Sequence, residues 1–140
     1  PKYPIIVSNC NYMFYTSKII NVDVDLDFST AANMNYLMSS STIQTLKKII
    51  LKGDGSQTFS GTFDCNHLVD IYEIVGVIGQ NLKLSQPTKL SKETILRFFN
   101  VLKDYSGSGT THTVTLGTTN LAKLTDAEKL IATQKGWTLA

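Results

Sequence analysis

The sequence predicts an α/β (α+β) domain built as a short solenoid. Parallel strands would stack coil upon coil, with turns or short helices on the backs and a helix–strand cap at the C-terminal end. Three observations support this prediction: an apolar pattern that recurs after 24 and 25 residues, polar turn-forming stretches between the recurrences, and helix-start signals confined to the last third. At 140 residues the chain is long enough for one core, so we treat 1–140 as a single domain.

The apolar pattern aligns three segments of the chain, 13–22, 37–46 and 62–71. In each, a large apolar residue is followed five positions later by Ile or Leu, and three further on by another apolar residue. The three columns are Phe14, Met38 and Phe63; Ile19, Ile43 and Leu68; Val22, Leu46 and Ile71. A unit of 20–29 residues is the length of one leucine-rich-repeat coil, whose apolar ladder is buried only against neighbouring coils. About three such coils are therefore predicted between 10 and 84.

Strands are predicted near 21–26, 45–51 and 70–75, with polar turn-forming stretches between them. The first strand alternates strictly, which predicts an apolar face and a carboxylate face. The two sets are Val22, Val24, Leu26 and Phe28, against Asp23, Asp25 and Asp27. The other two strands are more continuously apolar, as expected for strands covered on both faces.

The segment 85–140 departs from the period and is predicted to form an atypical last coil and a cap. Ser91 is a candidate N-cap for a helix that runs up to the flexible Ser-Gly loop at 106–109. Its apolar residues share one helical face: Ile95, Phe98, Phe99 and Leu102. A solenoid needs such an end unit because its last coil cannot leave its apolar face in water.

The remainder of the cap is predicted to be a strand, a helix and a final strand. The first strand covers 113–116, and the residues from Thr125 to Glu128 form a capping box. The helix should continue to Lys135 and stop at Gly136. The last strand, 137–139, should turn its tryptophan toward the core.

The composition excludes several classes of protein. Apolar residues make up 42% of the sequence and charged residues 17%, with a formal net charge of +2. This balance is too apolar for a disordered chain and too nearly neutral for a nucleic-acid or membrane-surface binder. The longest apolar runs, such as 49–51, are far shorter than the ~20 residues of a membrane span. We therefore predict no nucleic-acid partner and no membrane insertion.

Two motifs resemble the BspA-like leucine-rich repeats: Met-Phe-x-x-x-x-Ile at 13–19 and Thr-Phe-x-Cys-x-x-Leu at 62–68. The run from Thr115 to Ala140 is similar to the C-terminal cap of such proteins on Gram-positive cell surfaces and in phage tails or tail fibres. The resemblance implies an extracellular, cell-surface or virion location and recognition without chemistry. Because the chain begins at Pro1 without Met or a secretory signal, we expect a piece of a longer protein.

The leading functional hypothesis is a non-catalytic recognition module that binds a protein or glycan, for host-surface or cell-surface attachment. The alternative is a structural or assembly segment of a virion or surface protein. Its exposed first coil (Tyr12, Met13 and Phe14) would stack on other repeats or form a homo-oligomer.

Stacking of the coils also predicts candidate ligand-binding residues. The positions that follow Val22, Leu46 and Ile71 hold Asp23, Lys47 and Tyr72, which would form a chemically mixed strip on neighbouring strands. Tyr12 and Tyr36 lie one period apart and are suited to stacking against sugar rings or partner side chains. The alternative for both sets is ordinary surface or packing between turns.

The run Asp23-x-Asp25-x-Asp27 is the one cluster of carboxylates. A calcium loop of the hand type needs Gly at its sixth position and Glu at its twelfth, where this sequence has Phe28 and Met34. The spacing permits glycoside hydrolysis, but no apolar pocket is predicted nearby to raise one carboxyl pKa. We interpret the run as a solvated strand face.

The remaining reactive residues give no catalytic signature. Neither His67 nor His112 has a neighbouring acid or nucleophile in sequence, so we interpret both as structural. Cys10 and Cys65 lack zinc-site spacing and are interpreted as small buried side chains, with a disulfide as the alternative. We predict no catalytic residues, no cofactor and no metal.

Overall fold

The computed structural model describes residues 3–140 and shows a mixed α/β domain with short parallel strands and few helices. The strands are β1 (Ile5–Ile6), β2 (Asn21–Asp27), β3 (Thr45–Ile50), β4 (Asp70–Ile71), β5 (Ile74–Val75), β6 (Leu82–Lys83), β7 (His112–Thr115) and β8 (Trp137–Leu139). The helices are α1 (Lys92–Asn100), α2 (Gly117–Leu121) and α3 (Asp126–Thr133).

The first sheet has the order β1-β2-β3-β4, with β5 also paired to β3, and all of these pairings are parallel. Val22 lies opposite Leu46, which in turn lies opposite Ile71. The predicted alignment of this column, at offsets of 24 and 25 residues, is confirmed. We call the segments 3–20, 21–44 and 45–69 the first, second and third units.

The turns of successive units stack as well as their strands. The N–H groups of Tyr12, Phe14 and Thr16 donate to the carbonyls of Asn35, Leu37 and Ser39, at 3.2, 2.7 and 3.1 Å. The second unit repeats this arrangement on the third, where Tyr36, Met38 and Ser40 donate to Ser60, Thr62 and Asp64 at 2.8, 3.2 and 3.0 Å. Each unit is therefore hydrogen-bonded to the next on two sides, which leaves its apolar side chains inside.

One hydrophobic core fills the space enclosed by the units. Phe14, Met38 and Phe63 are all buried in it, as the alignment predicts. Ile43 and Leu68 are also fully buried, whereas Ile19 in the same column is 46% exposed. The difference arises because Ile19 belongs to the first unit, which no other described unit covers.

The predicted apolar residues of the first strand all pack on the core, but a bulge interrupts its pairing with the next strand. The register of β2 and β3 shifts between Val22 and Asp25, where β2 carries one extra residue. Such a bulge bends the strand and re-aims its side chains. Val24 is consequently only half-buried, while Leu26 beyond it returns to the core.

The C-terminal third contains the predicted helices, but both are shorter than expected. The Ser91 Oγ accepts from the N–H of Thr94 and so caps α1, which ends at Asn100. Leu102 lies beyond the helix and forms a parallel bridge with Ile78. The predicted capping box of α3 is confirmed, although the helix ends at Thr133.

A second parallel sheet, β6-β7-β8, lies in the C-terminal part of the chain. The predicted strands around 113–116 and 137–139 are confirmed as β7 and β8. Trp137 is buried at 3% exposure, and its Nε1 donates to the carbonyl of Lys103 at 2.8 Å. The short helix α2 was not predicted; it begins at Gly117, whose φ is +68°.

The structure gives the state of both cysteines. Cys10 and Cys65 are both free and buried, which confirms their interpretation as small packed side chains. Burial raises the pKa of the Cys10 thiol.

Within residues 3–140, no helix combines the length and hydrophobicity that a membrane crossing requires.

Candidate functional site

Three exposed tyrosines of the first and second units lie in contact, and we call them the tyrosine row. The rings of Tyr12 and Tyr36 stack with centroids 5.2 Å apart and planes 12° apart. Tyr15 meets Tyr12 edge-on at 5.6 Å. The three residues remain 56%, 49% and 39% exposed (Tyr12, Tyr15 and Tyr36). Tyr12 and Tyr36 therefore pack on each other between turns, as the alternative interpretation of these residues expects, and their role in binding remains a prediction.

Two members of the tyrosine row have a left-handed backbone, as do Thr16 and Ser40 in the same turns. Tyr12 and Tyr36 adopt φ values of 59° and 54°, in the left-handed region that bulky side chains rarely occupy. The corresponding left-handed residue of the third unit is Gly61, with φ 61°. A Cβ at Gly61 would stand 2.6 Å from the Tyr36 ring, so the absence of a side chain lets that ring lie on the backbone. Strained residues of this kind persist only where the surrounding structure holds them, often at binding sites.

A groove of about 410 Å³ begins where the tyrosine row ends. Gly61, which supports the Tyr36 ring, is part of its wall. Its other lining residues are mostly polar: Thr58, Phe59, Ser60, Gln80, Asn81, Leu82, Lys83 and Thr115. Lys83 is held at the margin by an ion pair with Asp64 at 3.2 Å.

The predicted strip of Asp23, Lys47 and Tyr72 forms only in part. Lys47 and Tyr72 follow directly paired residues on β3 and β4, as predicted. The Lys47 ammonium, however, contacts the Asp25 carboxylate at 2.8 Å. The bulge in β2 lies between Val22 and Asp25, and it sets the register at which Asp25 reaches β3. The hydrogen bond from Lys47 lowers the pKa of Asp25.

A second ion pair continues this charged sheet face. Lys48 contacts Glu73 at 2.9 Å, and this hydrogen bond raises the pKa of the Lys48 ammonium. Positive and negative side chains on this face therefore pair with each other, and the two ion pairs leave no patch of a single charge there. The face belongs to the strands, whereas the tyrosine row belongs to the turn segments, so the two predicted residue sets occupy separate surfaces.

The three aspartates of β2 do not converge on one point. Asp25 is paired with Lys47, and the Asp27 carboxylate accepts from the N–H of Ser29 at 2.9 Å. Across residues 3–140, no group of three or more His, Cys, Asp or Glu side chains is arranged to hold a metal ion. Asp23 itself is exposed, in keeping with the predicted solvated face.

Both histidines have structural surroundings. The Nδ1 of His67 lies 3.3 Å from the carbonyl of Ser41. The ring of His112 packs 4.8 Å from Tyr105 and 5.4 Å from Trp137. These contacts agree with the interpretation of His67 and His112 as packing residues.

The sequence predicted Tyr12 and Tyr36 as candidate binding residues, but it did not predict the groove. Its walls come from 58–61, 80–83 and Thr115, which no common period relates.

No protein-family model matches the chain, and no curated protein or solved structure is significantly similar to it. The function must therefore be inferred from the geometry of these surfaces.

Proposed function

We propose that this chain is a short, capped leucine-rich-repeat solenoid that acts as a non-catalytic recognition module and binds a protein or glycan. The observation that carries the functional proposal is the exposed tyrosine row ending at a polar groove. The parallel register of Val22, Leu46 and Ile71 supports the repeat architecture. So do the two matching sets of turn-to-turn hydrogen bonds.

The chemistry of the tyrosine row suits recognition. Tyrosine offers a large amphipathic contact area while losing little side-chain entropy, because it has only two rotatable bonds. The neighbouring groove supplies hydroxyl, amide and ammonium groups that can hydrogen-bond to sugar hydroxyls or peptide groups. Its volume of about 410 Å³ lies within the ~300–1,000 Å³ typical of ligand sites. A ligand extending from Tyr36 over Gly61 into the groove would use both.

The location we propose is a cell surface or a virion. It is supported by the resemblance of 13–19, 62–68 and the cap to surface and phage-tail repeat proteins. In that setting the module would serve adhesion or host attachment, and no cofactor would be needed.

The proposal is tested by measuring binding to a glycan array and to intact Gram-positive cell walls. The double variant Tyr12→Ala/Tyr36→Ala should weaken binding by about 30-fold or more, since central aromatic contacts are each worth about 2 kcal/mol or more. Lys129→Ala, which removes an exposed ion pair at the other end of the chain, is the matched control. Loss of binding in Lys47→Ala/Tyr72→Ala alone would move the site to the charged sheet face. Absence of binding by the unaltered chain on both supports would contradict the recognition function.

A second candidate function, assembly, is favoured by the exposed apolar surface of the first unit. Of twelve exposed large apolar residues among those described, eight lie within 3–20. They are Tyr3, Ile5, Ile6, Tyr12, Met13, Tyr15, Ile19 and Ile20. The sequence prediction for the first coil is corrected at Phe14, which is buried because it reaches down onto the second unit. Apolar clusters of this extent are typical of interaction surfaces.

A further inference from the structure

The groove beside the tyrosine row interrupts a layer of parallel backbone pairing. On one side of the groove, Asn33 of the second unit forms a parallel bridge with Thr58 of the third. On the other side the layer continues as β6-β7-β8, which is also parallel. Leu82 follows Thr58 after 24 residues, as Thr58 follows Asn33 after 25, so the repeat places Leu82 opposite Thr58. Although the structure describes both residues, no bridge joins them, and both line the groove of about 410 Å³.

Both long walls of the groove are extended in the manner of strands. Phe59 in one wall and Leu82 in the other are buried. The residues on either side of each are exposed: Thr58, Ser60, Asn81 and Lys83. Such alternation is the pattern of a strand, whose main-chain groups also alternate between its two edges. The walls are therefore two strand-like segments separated by a gap.

The main-chain groups of Lys83 point into the groove. The N–H of Leu84 donates to the carbonyl of Thr115 at 2.7 Å, so the residues of β6 that bond to β7 are Leu82 and Leu84. In a parallel strand, the residue between two such residues directs its N–H and C=O to the opposite edge. Among residues 3–140, neither main-chain group of Lys83 has a hydrogen-bond partner.

Phe59 presents the same two groups from the opposite wall. The carbonyl of Thr58 accepts from the N–H of Met34 at 2.9 Å. The carbonyl of Ser60 accepts from the N–H of Tyr36 at 2.8 Å, so both neighbours of Phe59 bond to the second unit. Phe59 lies between them and directs its own N–H and C=O the other way. Within the described chain these two groups have no partner, so each wall offers one donor and one acceptor.

Contacts at both ends of the groove fix its shape. At one end the backbones of Gly55 and Gly79 touch, since a Cβ at Gly79 would stand 2.5 Å from the carbonyl oxygen of Gly55. At the other end the side-chain amide of Gln86 donates to the Asn66 side chain at 2.9 Å. The two walls therefore meet on either side of the groove and diverge along it. A site that is formed in advance loses little free energy to reorganisation when it binds.

The chemistry of the groove favours a peptide over a sugar. Phe59, the aromatic residue in its lining, is only 5% exposed and offers no open ring face. The neighbouring Tyr36 ring is covered by Gly61 and by the stacked ring of Tyr12. An extended peptide carries an N–H and a C=O at every residue and alternates them between its edges. It can therefore bond to both walls at once.

We propose that the ligand of the groove is an extended peptide segment, which enters the interrupted layer as an additional strand between Phe59 and Lys83. Successive residues of this segment bond alternately to Lys83 and to Phe59, and one apolar side chain points inward at Phe59 and Leu82. Main-chain hydrogen bonds supply the affinity in this mode of recognition. The inference rests on the proposed recognition function and deepens it, because it selects protein over glycan and names the contacts.

The first test uses an array of acetylated and amidated hexapeptides, which have no charged termini. The best-binding hexapeptide is then N-methylated at one residue at a time, and its affinity is measured by calorimetry. A peptide held by both walls should lose about tenfold or more in affinity at each of two successive central residues, because each methyl group leaves a wall carbonyl unpaired. A peptide held by one wall would respond only at alternate residues.

The second test changes the wall itself. Lys83→Pro removes the N–H that points into the groove but keeps the groups of Leu82 and Leu84 that bond to β7. Proline is tolerated at such an edge position. Lys83→Ala is the matched control, because it also lacks the ammonium group and yet keeps the N–H. Lys83→Pro should bind the hexapeptide about tenfold or more weakly than Lys83→Ala. If circular dichroism shows that Lys83→Pro does not fold, the N-methyl series on the unaltered chain decides.

Each remaining outcome contradicts the inference. Binding to glycans or cell walls without binding to any hexapeptide would reject a peptide ligand and leave the recognition function in place. Peptide binding that Tyr12→Ala/Tyr36→Ala abolishes, while Lys83→Pro and Lys83→Ala bind equally, would move the peptide to the tyrosine row. A response to N-methylation at alternate residues alone would place the peptide on a single wall. Absence of every kind of binding would reject the recognition function and this inference together.

Discussion

The two ends of the molecule present the same kind of apolar ladder to very different surroundings. At the C-terminal end, α1 contacts β4 and packs Phe98 against Phe63, β7 and α3 contact β8, and Trp137 is almost fully buried. At the first unit, Ile19 occupies a ladder position yet is 46% exposed. An apolar position of this column therefore has no fixed energetic value. Its contribution to stability depends on whether a neighbouring unit covers it.

The C-terminal end is also closed by polar contacts that the first unit lacks. The ammonium of Lys135 donates to the carbonyls of Phe99 and Asn100, at 2.8 and 3.0 Å, at the C-terminus of α1. The ammonium of Lys123 donates to the carbonyls of Thr88 and Leu90 in the same way, at 2.8 and 2.6 Å. Burial lowers the pKa of both ammonium groups. The C-terminal third thus satisfies these backbone acceptors with side chains, whereas no backbone N–H among residues 3–140 donates to the carbonyls of Asn11, Met13 and Tyr15 in the first unit.

The largest effect is expected from removing Trp137, the buried tryptophan of β8. Trp137→Ala should reduce the free energy of unfolding by about 3–5 kcal/mol, because it leaves a cavity and removes the hydrogen bond to Lys103. Urea denaturation followed by circular dichroism measures this loss. Tyr3→Ala, an exposed aromatic at the opposite end, is the control and should change stability little. A loss below about 1 kcal/mol for Trp137→Ala would contradict the capping role.

The next prediction compares the stability lost when the same column position is truncated in two units, at Ile43 and at Ile19. Ile43→Ala should cost about 2–5 kcal/mol, since Ile43 is fully buried between two units. Ile19→Ala should cost less than about 1 kcal/mol, because exposed positions contribute little. The same denaturation measurement applies to both. Similar losses for the two variants would show that the first unit is covered in solution.

Much of the fold is predictable because its signals are local or periodic. Ser91 and the Thr125–Glu128 box each start a helix through contacts within four residues. The column of Val22, Leu46 and Ile71 is visible because every member occupies an equivalent place in its unit. Helix ends were harder to place, since the apolar stripe of α1 continues to Leu102, which leaves the helix to pair with Ile78.

The candidate site is less predictable because it depends on how distant segments meet. A count of residues cannot show that β2 carries one extra residue relative to β3, which is why Asp23 was expected beside Lys47. The groove needs 58–61, 80–83 and Thr115 to come together, and no pattern in the sequence links them. The shared location of Tyr12 and Tyr36 could be predicted only because both residues follow the period, and their stacking on each other was not predicted.

A smaller loss of stability is expected at Gly61 of the third unit, on which the Tyr36 ring lies. Gly61→Ala should cost about 1–2 kcal/mol, because the new Cβ meets a left-handed backbone and the Tyr36 ring at 2.6 Å. Gly107→Ala is the matched control: its φ is also positive, 72°, but nothing lies within 4 Å of its added Cβ. Thermal denaturation of the two variants should separate ring displacement from backbone strain. Equal costs would show that the ring does not depend on Gly61.

The smallest effect is the pH dependence of the ion pair between the second and third units. Because the hydrogen bond from Lys47 lowers the pKa of Asp25, that carboxyl should titrate in the folded protein below the ~3.9 of a free aspartate. The pair therefore contributes its stability above that ordinary value, and the contribution is lost as the pH falls through the lowered pKa. Carbon-detected NMR titration of Asp25 measures the midpoint. Lys47→Ala should move the midpoint upward, whereas Lys129→Ala should leave it in place. An Asp25 midpoint that does not respond to Lys47→Ala would mean that the contact across the bulge does not persist in solution. The first unit offers no such test, since its strand β1 carries only Ile5 and Ile6.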